Sequence, residues 1–459
     1  MKRRSIEFDI VVLGAGLGGL SSALAAARNG AKVLLVEKNS FLGGNMTIGL
    51  PLLGFLDKDG NKMIAGIADE FVNTMKSYKT SYGYASTDHI ACPMHNSITL
   101  YDHEIFKFVA FHKIIDAGIE VLLNTQISGI SMDNGRIAEI ELLGKGWQID
   151  VRAKIFIDAT GDGDLAYLAG ASYKKGQDDT GTLQPPTLMF TVANVDTDKT
   201  IDFIADDPDQ MKLSDTTEVG EGFDADFFRK HPTHVLVGMR KLFNKLRAEG
   251  KLPITRDTII YIKSLLPGQV HLNCTRHLDT DGSDAFSLSK ALIEGHMQIE
   301  KFVQTLQEHV PGFENCYITN IAPSMGVRET RRFEGVDTLK EEDLVSGRIN
   351  KTAIGLGSYI IDIHMGDGLS TIVKKIPAYG LPYGITVSSQ IDNLMFSGRC
   401  ASMDAVAMSS ARVMPTLMVM GEGAGVGAAL AVKNNISPAQ VKIEEIRNIL
   451  KNSGVILDL

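Results

Sequence analysis

The sequence predicts an α/β fold, and three features of the chain support this class. A short apolar strand runs into a glycine-rich turn and then into a helix of small residues within the first 30 positions. Strand-like and helix-like segments alternate from there to about residue 175. After a more polar middle region, a strand, a glycine turn and a glycine-rich helix follow from residue 394 onward. We therefore expect one nucleotide-binding domain that is interrupted by an inserted unit.

The opening turn carries the pattern of a dinucleotide-binding βαβ unit. Residues 9–13 form the predicted strand, followed by Gly14, Gly16 and Gly19. The first glycine permits the tight turn, the second lets a pyrophosphate approach the backbone, and the third lets helix and strand pack closely. The helix N-terminus presents unpaired N–H groups to the phosphates. Glu37 closes the second strand, where it can accept hydrogen bonds from an adenosine ribose. This context predicts a Rossmann-like fold.

A cleaved secretory signal is the competing interpretation of these first residues. The basic segment 2–4 and the alanines at 25–27 resemble the two ends of such a peptide. However, Glu7 and Asp9 interrupt its apolar part, and a second strand after it has no role in a signal. The βαβ interpretation is favoured.

Composition restricts the classes of function. The chain has 459 residues, a formal net charge of −9, 44% hydrophobic and 22% charged residues, which is typical of a soluble globular protein. The acidic balance disfavours a nucleic-acid partner. Residues 414–432 come nearest to a membrane span, but Pro415 and Glu422 interrupt them, so no membrane partner is expected. Four cysteines in a chain of this length suggest no disulfide framework, which predicts a reducing, cytoplasmic location.

The remaining predicted elements follow in order along the chain. Helices are expected over 64–77, 102–117, 226–249 and 287–309, with an interruption of the third at His231-Pro232. Strands are expected over 120–123, 126–132, 137–143 and 154–157, with a hairpin turn at 133–135. These elements predict a FAD- or NAD-binding domain whose first part is residues 1–175. An inserted α+β substrate domain over 176–375 follows, and residues 376–459 complete the first domain with a C-terminal helix.

Three later segments help to distinguish FAD from NAD as the dinucleotide. They are residues 157–164 (IDATGDGD), 326–332 (GVRETRR) and 393–399 (NLMFSGR). With the opening glycines, they resemble the bacterial FAD-dependent oxidoreductase family of the two-dinucleotide-binding-domain type. That family is similar in fold to the fumarate reductase and glucose-inhibited division protein flavoproteins. The resemblance covers nearly the whole chain and implies FAD as the cofactor.

The resemblance also implies which residues hold the cofactor. The opening glycines would contact the pyrophosphate, and Glu37 would contact the ribose. The other implied residues are Lys38, Gly43, Gly44 and Asn45 on the ribityl and flavin side, Thr160 and Gly161 on the AMP half, and Gly398 and Arg399 between them. A helix opened by residues 421–425, including Gly423 and Ala424, would aim its N-terminus at the flavin pyrimidine. A carboxylate at Glu422 would oppose flavin reduction unless it points elsewhere.

A flavin oxidoreductase also needs a proton-transfer group and a substrate clamp. Strand alternation places His364 and Asp362 on one face, so His364 is the predicted proton-transfer group, with a structural histidine as the alternative. Arg328, Arg331 and Arg332 have helical spacing, which would let Arg328 and Arg332 clamp a substrate carboxylate. Salt bridges with nearby glutamates would explain the same arginines without a substrate.

Two further polar segments are weaker candidates. Strand alternation in residues 271–277 would place four polar side chains on one face: His271, Asn273, Thr275 and His277. That face would either line a cavity or meet solvent. Residues 92–95 (CPMH) lie in a predicted loop that could reach the flavin. Cys274 would point away from the histidines beside it, so no metal site is predicted.

The predicted function is hydride transfer between FAD and a small organic substrate bound by the inserted domain. A separate electron acceptor or donor is expected, and the sequence does not identify it. Two other classes stay open. One is a flavin-dependent RNA-modifying protein, against which the acidic charge counts. The other is a non-catalytic electron-transfer subunit, which would hardly need so large an insert.

Overall fold

The computed structural model describes residues 1–81, 83, 85–86, 97–212, 224–230, 235–366 and 371–459. It confirms the predicted α/β class. The helices are α1 (Leu17–Arg28), α2 (Ile67–Ser77), α3 (His103–Asp116), α4 (Asp164–Leu168), α5 (Thr197–Asp206), α6 (Ala225–Lys230), α7 (Arg240–Ala248), α8 (Ala285–His309), α9 (Glu341–Ser346), α10 (Ala405–Ala411), α11 (Met414–Asn434) and α12 (Ile443–Asn452).

The strands form several sheets, the two largest of which carry the two hydrophobic cores of the protein. They are β1 (Lys2–Leu13), β2 (Val33–Val36), β3 (Leu52–Leu53), β4 (Ala85–Ser86), β5 (Ser97–Thr99), β6 (Glu120–Leu122), β7 (Thr125–Asp133), β8 (Arg136–Gly144), β9 (Trp147–Asp158), β10 (Tyr173–Lys175), β11 (Phe190–Ala193), β12 (Val235–Gly238), β13 (Ile259–Lys263), β14 (Val270–Asn273), β15 (Tyr317–Ile321), β16 (Arg331–Phe333), β17 (Ala353–Gly357), β18 (Ile361–His364), β19 (Thr371–Lys374), β20 (Tyr379–Pro382) and β21 (Leu394–Phe396).

A seven-stranded sheet forms the base of the fold, in the order β6-β2-β1-β9-β8-β7 with β21 beside β9. Strands β6, β2, β1, β9 and β21 are parallel, whereas β8 and β7 extend the sheet as an antiparallel hairpin. The first part of β9 pairs with β8, and its last residues pair with β21. The carboxyl ends of β1, β2, β9 and β21 therefore meet at one edge, where ligands bind in open α/β sheets.

Local signals explain several of these elements. The β1-α1-β2 unit is the predicted βαβ unit, with Ile10 paired to Val33 in parallel register. Asn134 and Gly135 have φ values of +47° and +77°, as a tight β7–β8 hairpin turn requires. Asp102 caps the predicted helix α3, because its side chain accepts hydrogen bonds from the first-turn amides. These predictions are confirmed.

Helix α11 is the central helix of the first hydrophobic core. It is buried from Met414 to Ala431 and packs against α1, α2, α12 and β17. By length and composition it could cross a membrane, but 89% of its apolar window is buried inside the protein. Its position at the centre of a packed core accounts for its apolar composition on every side.

A second core lies on a five-stranded antiparallel sheet of order β12-β13-β14-β11-β15. Helix α8 covers one face of this sheet, where the rings of Phe190 and Phe302 lie 6.3 Å apart. The core extends from Leu188 to Met325 and includes Ile48 from the loop after β2. It is therefore the observed counterpart of the predicted insert.

The predicted insert over residues 176–375 is too long at its C-terminal end. Phe333, Leu344 and Ile376 belong to the first core rather than the second. Strand pairing explains this, because β10 pairs with β16 and β17 pairs with β20, which returns the chain to the first core. The predicted helix over 226–249, with its interruption at 231–232, is correct on both sides of that point but misses a strand between them. Its described residues form α6, β12 and α7, because Val235–Gly238 pairs with β13.

Candidate cofactor and substrate site

A cavity of about 570 Å³ opens at the carboxyl ends of the parallel strands. One side is built by the ends of β1, β2, β9 and β21 and by the loops that follow them. The opposite side comes from α8 and from residues 323–327, next to the second core. The predicted cofactor residues that line the cavity are Gly14, Gly16, Glu37, Lys38, Gly44, Asn45, Thr160, Gly161, Gly398 and Arg399. The cavity therefore lies between the two cores.

The glycine turn after β1 leaves bare backbone along one side of this cavity. Gly14 has a φ of +96°, and a Cβ atom there would lie 2.3 Å from the carbonyl oxygen of Ala159. At Gly16, in contrast, a Cβ atom would have no described atom within 4 Å. Gly19 does not line the cavity, since its Cβ position meets the Gly14 carbonyl oxygen. A ligand can therefore approach the backbone at Gly16, while Gly19 serves the packing of α1.

Glu37 and Gly43 attach the next loop to the glycine turn. One carboxylate oxygen of Glu37 accepts a hydrogen bond from the Ala15 amide at 2.7 Å, and the other accepts from the Asn39 amide at 2.9 Å. Gly43 donates its N–H to the Ala15 carbonyl at 2.8 Å. Its Cβ position faces the ring of Phe106, so Gly43 supports the loop from behind rather than lining the cavity.

Asp158 organises the loop after β9, although sequence analysis did not assign it a role. Its buried carboxylate accepts hydrogen bonds from the hydroxyl of Thr160 at 2.7 Å and from the amide of Ala166 at 2.8 Å. Burial raises the pKa of Asp158 to about 6, while these hydrogen bonds favour the charged form. The result is a loop that presents Thr160 and Gly161 to the cavity. Asp158 is part of the run IDATGDGD, so the sequence motif already included this residue.

Arg399 brings a partly unsatisfied guanidinium to the cavity. Its Nη2 donates to Asp162 Oδ1 at 3.1 Å. Its Nη1 is buried and has no hydrogen-bond partner among the described residues. The preceding Gly398 has a φ of +122° and open space at its Cβ position. A guanidinium with a buried, unused donor fits an anionic ligand, because a phosphate oxygen would satisfy that donor.

The structure corrects the prediction for the glycine-rich helix. Helix α11 begins at Met414, so Gly423 and Ala424 lie in its interior and not at an N-terminus. A Cβ atom at Gly423 would meet the side chain of Ile354, and neither residue lines the cavity. Met414 and Leu417, in the first turn of α11, do line it. A helix N-terminus therefore borders the cavity, but it lies seven residues before the predicted one.

Glu422 points away from the cavity, so its carboxylate is not placed to oppose flavin reduction. Its Oε2 accepts a hydrogen bond from the Ile67 amide at 2.8 Å, at the N-terminus of α2. Burial raises the pKa of Glu422 to about 7. The carboxylate therefore supports helix α2 and does not oppose charge on a ligand in the cavity.

The residues at this cavity fit a dinucleotide. Bare backbone at Gly16 and the N-termini of α1 and α11 suit a diphosphate, because both supply unpaired N–H groups. The unused donor of Arg399 suits the same group. The apolar and backbone surfaces between the two cores give the rest of the ligand a long binding surface.

The two predicted clamp arginines do not act together. Residues 331–333 form strand β16, so the helical spacing assumed for Arg328 and Arg332 is wrong. Arg332 is almost fully buried, where it pairs with Glu329 and donates to the carbonyl oxygens of Met403 and Gly176. Arg332 is therefore structural. The salt-bridge interpretation holds for this residue because its donors are already used.

Arg328 has a different environment. Its Nη1 donates to the Pro185 carbonyl at 2.5 Å and to the Thr187 hydroxyl at 2.8 Å, and both acceptors are uncharged. Burial lowers the pKa of Arg328 well below its usual range, and Arg412 and Arg276 lower it further, whereas Asp362 opposes this fall. Three arginines and one carboxylate therefore leave a local excess of positive charge. Arg328 does not line the cavity, but its neighbour Arg412 does.

Arg412 is a residue that sequence analysis missed. Its guanidinium donates to the Gln184 side chain and to the Asp362 carbonyl, each at 2.9 Å. Gln184 in turn accepts from the His364 amide at 3.0 Å, which joins three distant segments. A signal was present, because Arg412 is the only charged residue between Asp404 and Glu422.

The structure places Asp362 and His364 together, as strand alternation predicted. His364 Nε2 lies 3.5 Å from Asp362 Oδ1, and its Nδ1 lies 2.7 Å from Arg276 Nη2. A guanidinium only donates, so Nδ1 accepts and the proton of the neutral ring sits on Nε2. Burial lowers the pKa of His364 to about 3, against the rise expected from Asp362 alone. Protein groups face both nitrogens, and His364 does not line the cavity.

The segment 271–277 is divided between two environments. His271 and Asn273 lie on strand β14 and are buried, so this face does not meet solvent. His277 lies beyond the strand, and its Nε2 is 3.2 Å from the Cβ position of Gly295 on α8. The candidate segment 92–95 lies outside the described residues. Among the residues that the structure describes, no group of three or more His, Cys, Asp or Glu is placed to hold a metal ion.

Comparisons with known proteins bear directly on this site. A protein-family profile described as "FAD dependent oxidoreductase" matches residues 9–450. A digeranylgeranylglycerophospholipid reductase of Methanosphaerula palustris is 29% identical over 164 residues, which cover 34% of this chain and 39% of that protein. A thiamine thiazole synthase of Pyrococcus horikoshii is 27% identical over 180 residues, covering 38% of this chain and 64% of that protein. The chain therefore spans less than two thirds of these relatives.

Solved structures also match this chain, at low sequence identity and low TM-score. A geranylgeranyl bacteriochlorophyll reductase-like protein from Thermoplasma acidophilum is 14% identical, with a TM-score of 0.46, and the match covers 98% of this chain and 84% of that one. The flavin-dependent brominase Bmp2 is 13% identical with the same TM-score, and the match covers 98% and 84% of the two chains. At these values, the likeness carries no argument about function.

Proposed function

We propose that this chain, which belongs to the FAD dependent oxidoreductase family, transfers a hydride between FAD and a small organic anion bound where its two cores meet. The family makes the protein an oxidoreductase and makes FAD its cofactor. When bound, FAD supplies the two-electron acceptor or donor for this chemistry. The substrate class is the proposed part, and it rests on the environment of Arg328.

The residues proposed to hold FAD are those of the cavity described above. Gly16 and the N-terminus of α1 would contact the diphosphate, with Glu37 at the ribose end. Arg399 would use its buried Nη1 for the same ligand. The first turn of α11 would border the flavin end, in place of the interior residues Gly423 and Ala424.

The observation that carries the substrate class is a guanidinium that donates to uncharged partners inside an excess of positive charge. Arg328 donates to a carbonyl and a hydroxyl, while Arg412 and Arg276 add like charge around it that Asp362 offsets only in part. Holding such charge away from water is unfavourable unless an anion accompanies it. A carboxylate or phosphate oxygen beside Arg328 would offset the like charges and accept the hydrogen bonds that an arginine donates in a fixed fork.

His364 has a positioning role in this proposal rather than a proton-transfer role. Its Nδ1 accepts from Arg276, and its backbone amide donates to Gln184, which also binds Arg412. A neutral His364 therefore holds two arginines in place beside the cavity. The burial that lowers its pKa to about 3 keeps it neutral at physiological pH.

We also propose a cytoplasmic location. The described cysteines Cys274, Cys316 and Cys400 are buried and form no disulfide. Buried free thiols suit a reducing compartment, where neither a disulfide nor oxidation is favoured.

The proposal is tested by bleaching of the flavin. The holoprotein is mixed without oxygen with a panel of organic acids and phosphate esters, each paired with its uncharged amide or alcohol, and flavin absorbance is followed. We expect the anions to bleach it and the neutral analogues to fail. In Arg328→Gln, we expect KM to rise about 10- to 100-fold with FAD retained, because a hydrogen bond to a charged group is lost.

Arg152→Gln provides a matched control, because Arg152 is an exposed arginine paired with Glu139 on the main sheet. Its kinetic constants should equal those of the unaltered protein. Bleaching by neutral analogues as fast as by anions would refute the anion proposal. A holoprotein that retains FAD but is bleached by no member of the panel would instead support the electron-transfer alternative.

A further inference from the structure

The outer face of helix α8 carries unusually exposed apolar side chains. Phe286 is 87% exposed and Ile293 is 67% exposed, the two highest values for large apolar side chains among the described residues outside the chain termini. Met297, on the same helix, is 55% exposed. Single exposed apolar residues are common on protein surfaces, whereas a contiguous group of them marks an interaction surface. The arrangement of the three residues on the helix is therefore decisive.

These three residues form one stripe along the helix. They are separated by seven and four residues, which places them within roughly 40° of one another around the helix axis. Gly295 and Phe302, which lie against Leu188 and Phe190 of the second core, are on the opposite side of α8. The stripe of Phe286, Ile293 and Met297, which we call the α8 stripe, therefore points directly away from the protein.

The charged residues beside the α8 stripe are balanced. Residues 286–301 contain two lysines, Lys290 and Lys301, and two glutamates, Glu294 and Glu300. Lys290 and Glu294 are both exposed and form an ion pair at 3.8 Å. Nucleic acids and anionic membranes favour a surface with net positive charge, which this face lacks. Two copies of the chain, each with a net charge of −9, can approach most easily through a neutral apolar face.

The order of residues along α8 suits antiparallel docking of two copies of this helix. A two-fold axis places residues at equal distances from one midpoint opposite each other, and it brings the same edge of both helices together. The midpoint of Phe286 and Met297 lies between residues 291 and 292, and that of Lys290 and Glu294 lies at residue 292. These midpoints differ by half a residue, which is about 0.8 Å along the helix. One arrangement therefore satisfies both pairings.

This arrangement matches apolar groups with apolar groups and opposite charges with each other. Phe286 of each copy lies against Met297 of the other, and Lys290 of each copy lies beside Glu294 of the other. Ile293 is next to the midpoint, so the two Ile293 side chains contact each other at the centre. An apolar centre with charged pairs along its edge is the usual composition of a helix–helix interface. The α8 stripe is therefore complementary to itself.

We propose that the α8 stripe is the contact surface of a homodimer, in which two α8 helices pack antiparallel about a two-fold axis near residue 292. Three apolar side chains from each copy make a small interface, so we expect a Kd of roughly 1 to 50 µM. Leu288 and Leu292, on another face of α8, line the cofactor cavity, whereas the α8 stripe does not. The dimer therefore supports one wall of the cavity from outside and does not depend on the proposed substrate class.

Sedimentation velocity of the FAD-loaded full chain tests the proposal. Over concentrations of roughly 1 to 200 µM, the average mass should rise from 49.8 kDa toward twice that value. Ile293→Glu should raise the Kd of the dimer about 30- to 100-fold, because it places two like charges at the centre of the contact. Ile115→Glu is the matched control, since Ile115 is 65% exposed on helix α3, and its Kd should stay within about twofold of the unaltered protein.

A mixing experiment tests the antiparallel order of the two helices. Lys290→Glu and Glu294→Lys each place like charges opposite one another, so each variant alone should dimerise about tenfold more weakly. When the two variants are mixed in equal amounts, every lysine at these positions faces a glutamate of the other copy. The mixture should therefore dimerise about as tightly as the unaltered protein. An effect of these substitutions within one helix could not be repaired by mixing.

Three results would overturn the proposal. The first is a monomer mass over the whole concentration range. The second is a dimer that Ile293→Glu weakens no more than Ile115→Glu does, or that mixing of the two charge variants fails to restore. The third is a monomer that binds phosphatidylcholine vesicles through the same stripe, with binding lost in Ile293→Glu. None of these results changes the flavin-bleaching screen, so failure of the dimer and failure of the anion proposal are observed separately.

Discussion

Two segments of this protein, the turn before α1 and the interior of α11, are both rich in glycine, but their glycines have different structural roles. The turn that opens α1 places Gly16 at the cavity, where a Cβ atom would have no described atom within 4 Å. The glycines inside α11 lie against other elements. A Cβ atom at Gly421 would lie 2.3 Å from the Gly18 carbonyl oxygen, and one at Gly425 would lie 2.3 Å from the Ser22 carbonyl oxygen.

The missing side chain of glycine leaves space that either a ligand or a neighbouring helix can occupy. Gly421 and Gly425 are four residues apart, so they share the face of α11 that packs on α1. Gly423 and Gly427 face Ile354 and Tyr383 instead. Glycine on these faces lets two elements approach more closely than side chains would permit. Gly16 leaves the same kind of space, but the structure fills it with no protein atom.

The largest effect is expected at the helix contact. Gly425→Ala should lower the free energy of unfolding by about 3 kcal/mol, because its Cβ would overlap a backbone carbonyl that cannot move away on its own. Urea unfolding of the FAD-free protein measures this, with Gly16→Ala as the matched glycine control. Equal stability of the two variants would refute the packing role of α11.

A second test concerns Glu422, which lies between the packed glycines of α11 and caps α2. Its pKa of about 7 is above the ordinary 4.5, so the folded state binds a proton more tightly than the unfolded state. The stability that this group contributes is present below pH 4.5 and is lost as pH rises through about 7.

Relative to Glu422→Gln, the unaltered protein should therefore lose roughly 2 kcal/mol between pH 5 and pH 8. The amide oxygen of glutamine can still accept from the Ile67 amide. Urea unfolding at several pH values measures the difference, and Glu445→Gln, at an exposed residue of α12, serves as control. Parallel pH curves for the unaltered protein and Glu422→Gln would contradict the prediction.

The smallest effect on free energy is expected at the ligand-facing glycine. Gly16 has φ −67° and ψ −176°, which alanine adopts without strain. Gly16→Ala should leave the stability of the FAD-free protein within about 0.5 kcal/mol of the unaltered protein. Its Cβ would enter the space of the diphosphate, so we expect the Kd for FAD to rise about tenfold, or ~1.4 kcal/mol. Titration of flavin fluorescence checks this, and an unchanged Kd would remove the assignment of Gly16.

Local signals were sufficient wherever one short segment builds a feature by itself. The turn at Gly14 and Gly16, the helix predicted over 102–117 and the hairpin at Asn134 all depend on neighbours close in sequence, and the structure contains each of them. The pairing of Asp362 with His364 was predictable for the same reason, because strand alternation sets it.

Other predictions failed where a distant segment determines the outcome. Arg328 and Arg332 were expected on one helical face, but pairing of β16 with β10 makes residues 331–333 a strand. The helix over 226–249 was expected to be interrupted only at 231–232, but β13 also pairs with Val235–Gly238 and makes that segment a strand. In both cases, hydrogen bonds with a strand far away in sequence outweigh the local preference.

The order of residues along the chain was enough to establish a dinucleotide-binding α/β fold and the family to which it belongs. A βαβ unit is a local structure, and its glycines act through their own backbone. The choice between ligand contact and helix packing at Gly16 and Gly425 needed the folded molecule. So did the exposure of Ile293 on the outer face of α8 and the separation of Arg328 from Arg332. Each of these depends on which atoms lie next to a residue, and those atoms come from segments that only folding brings together.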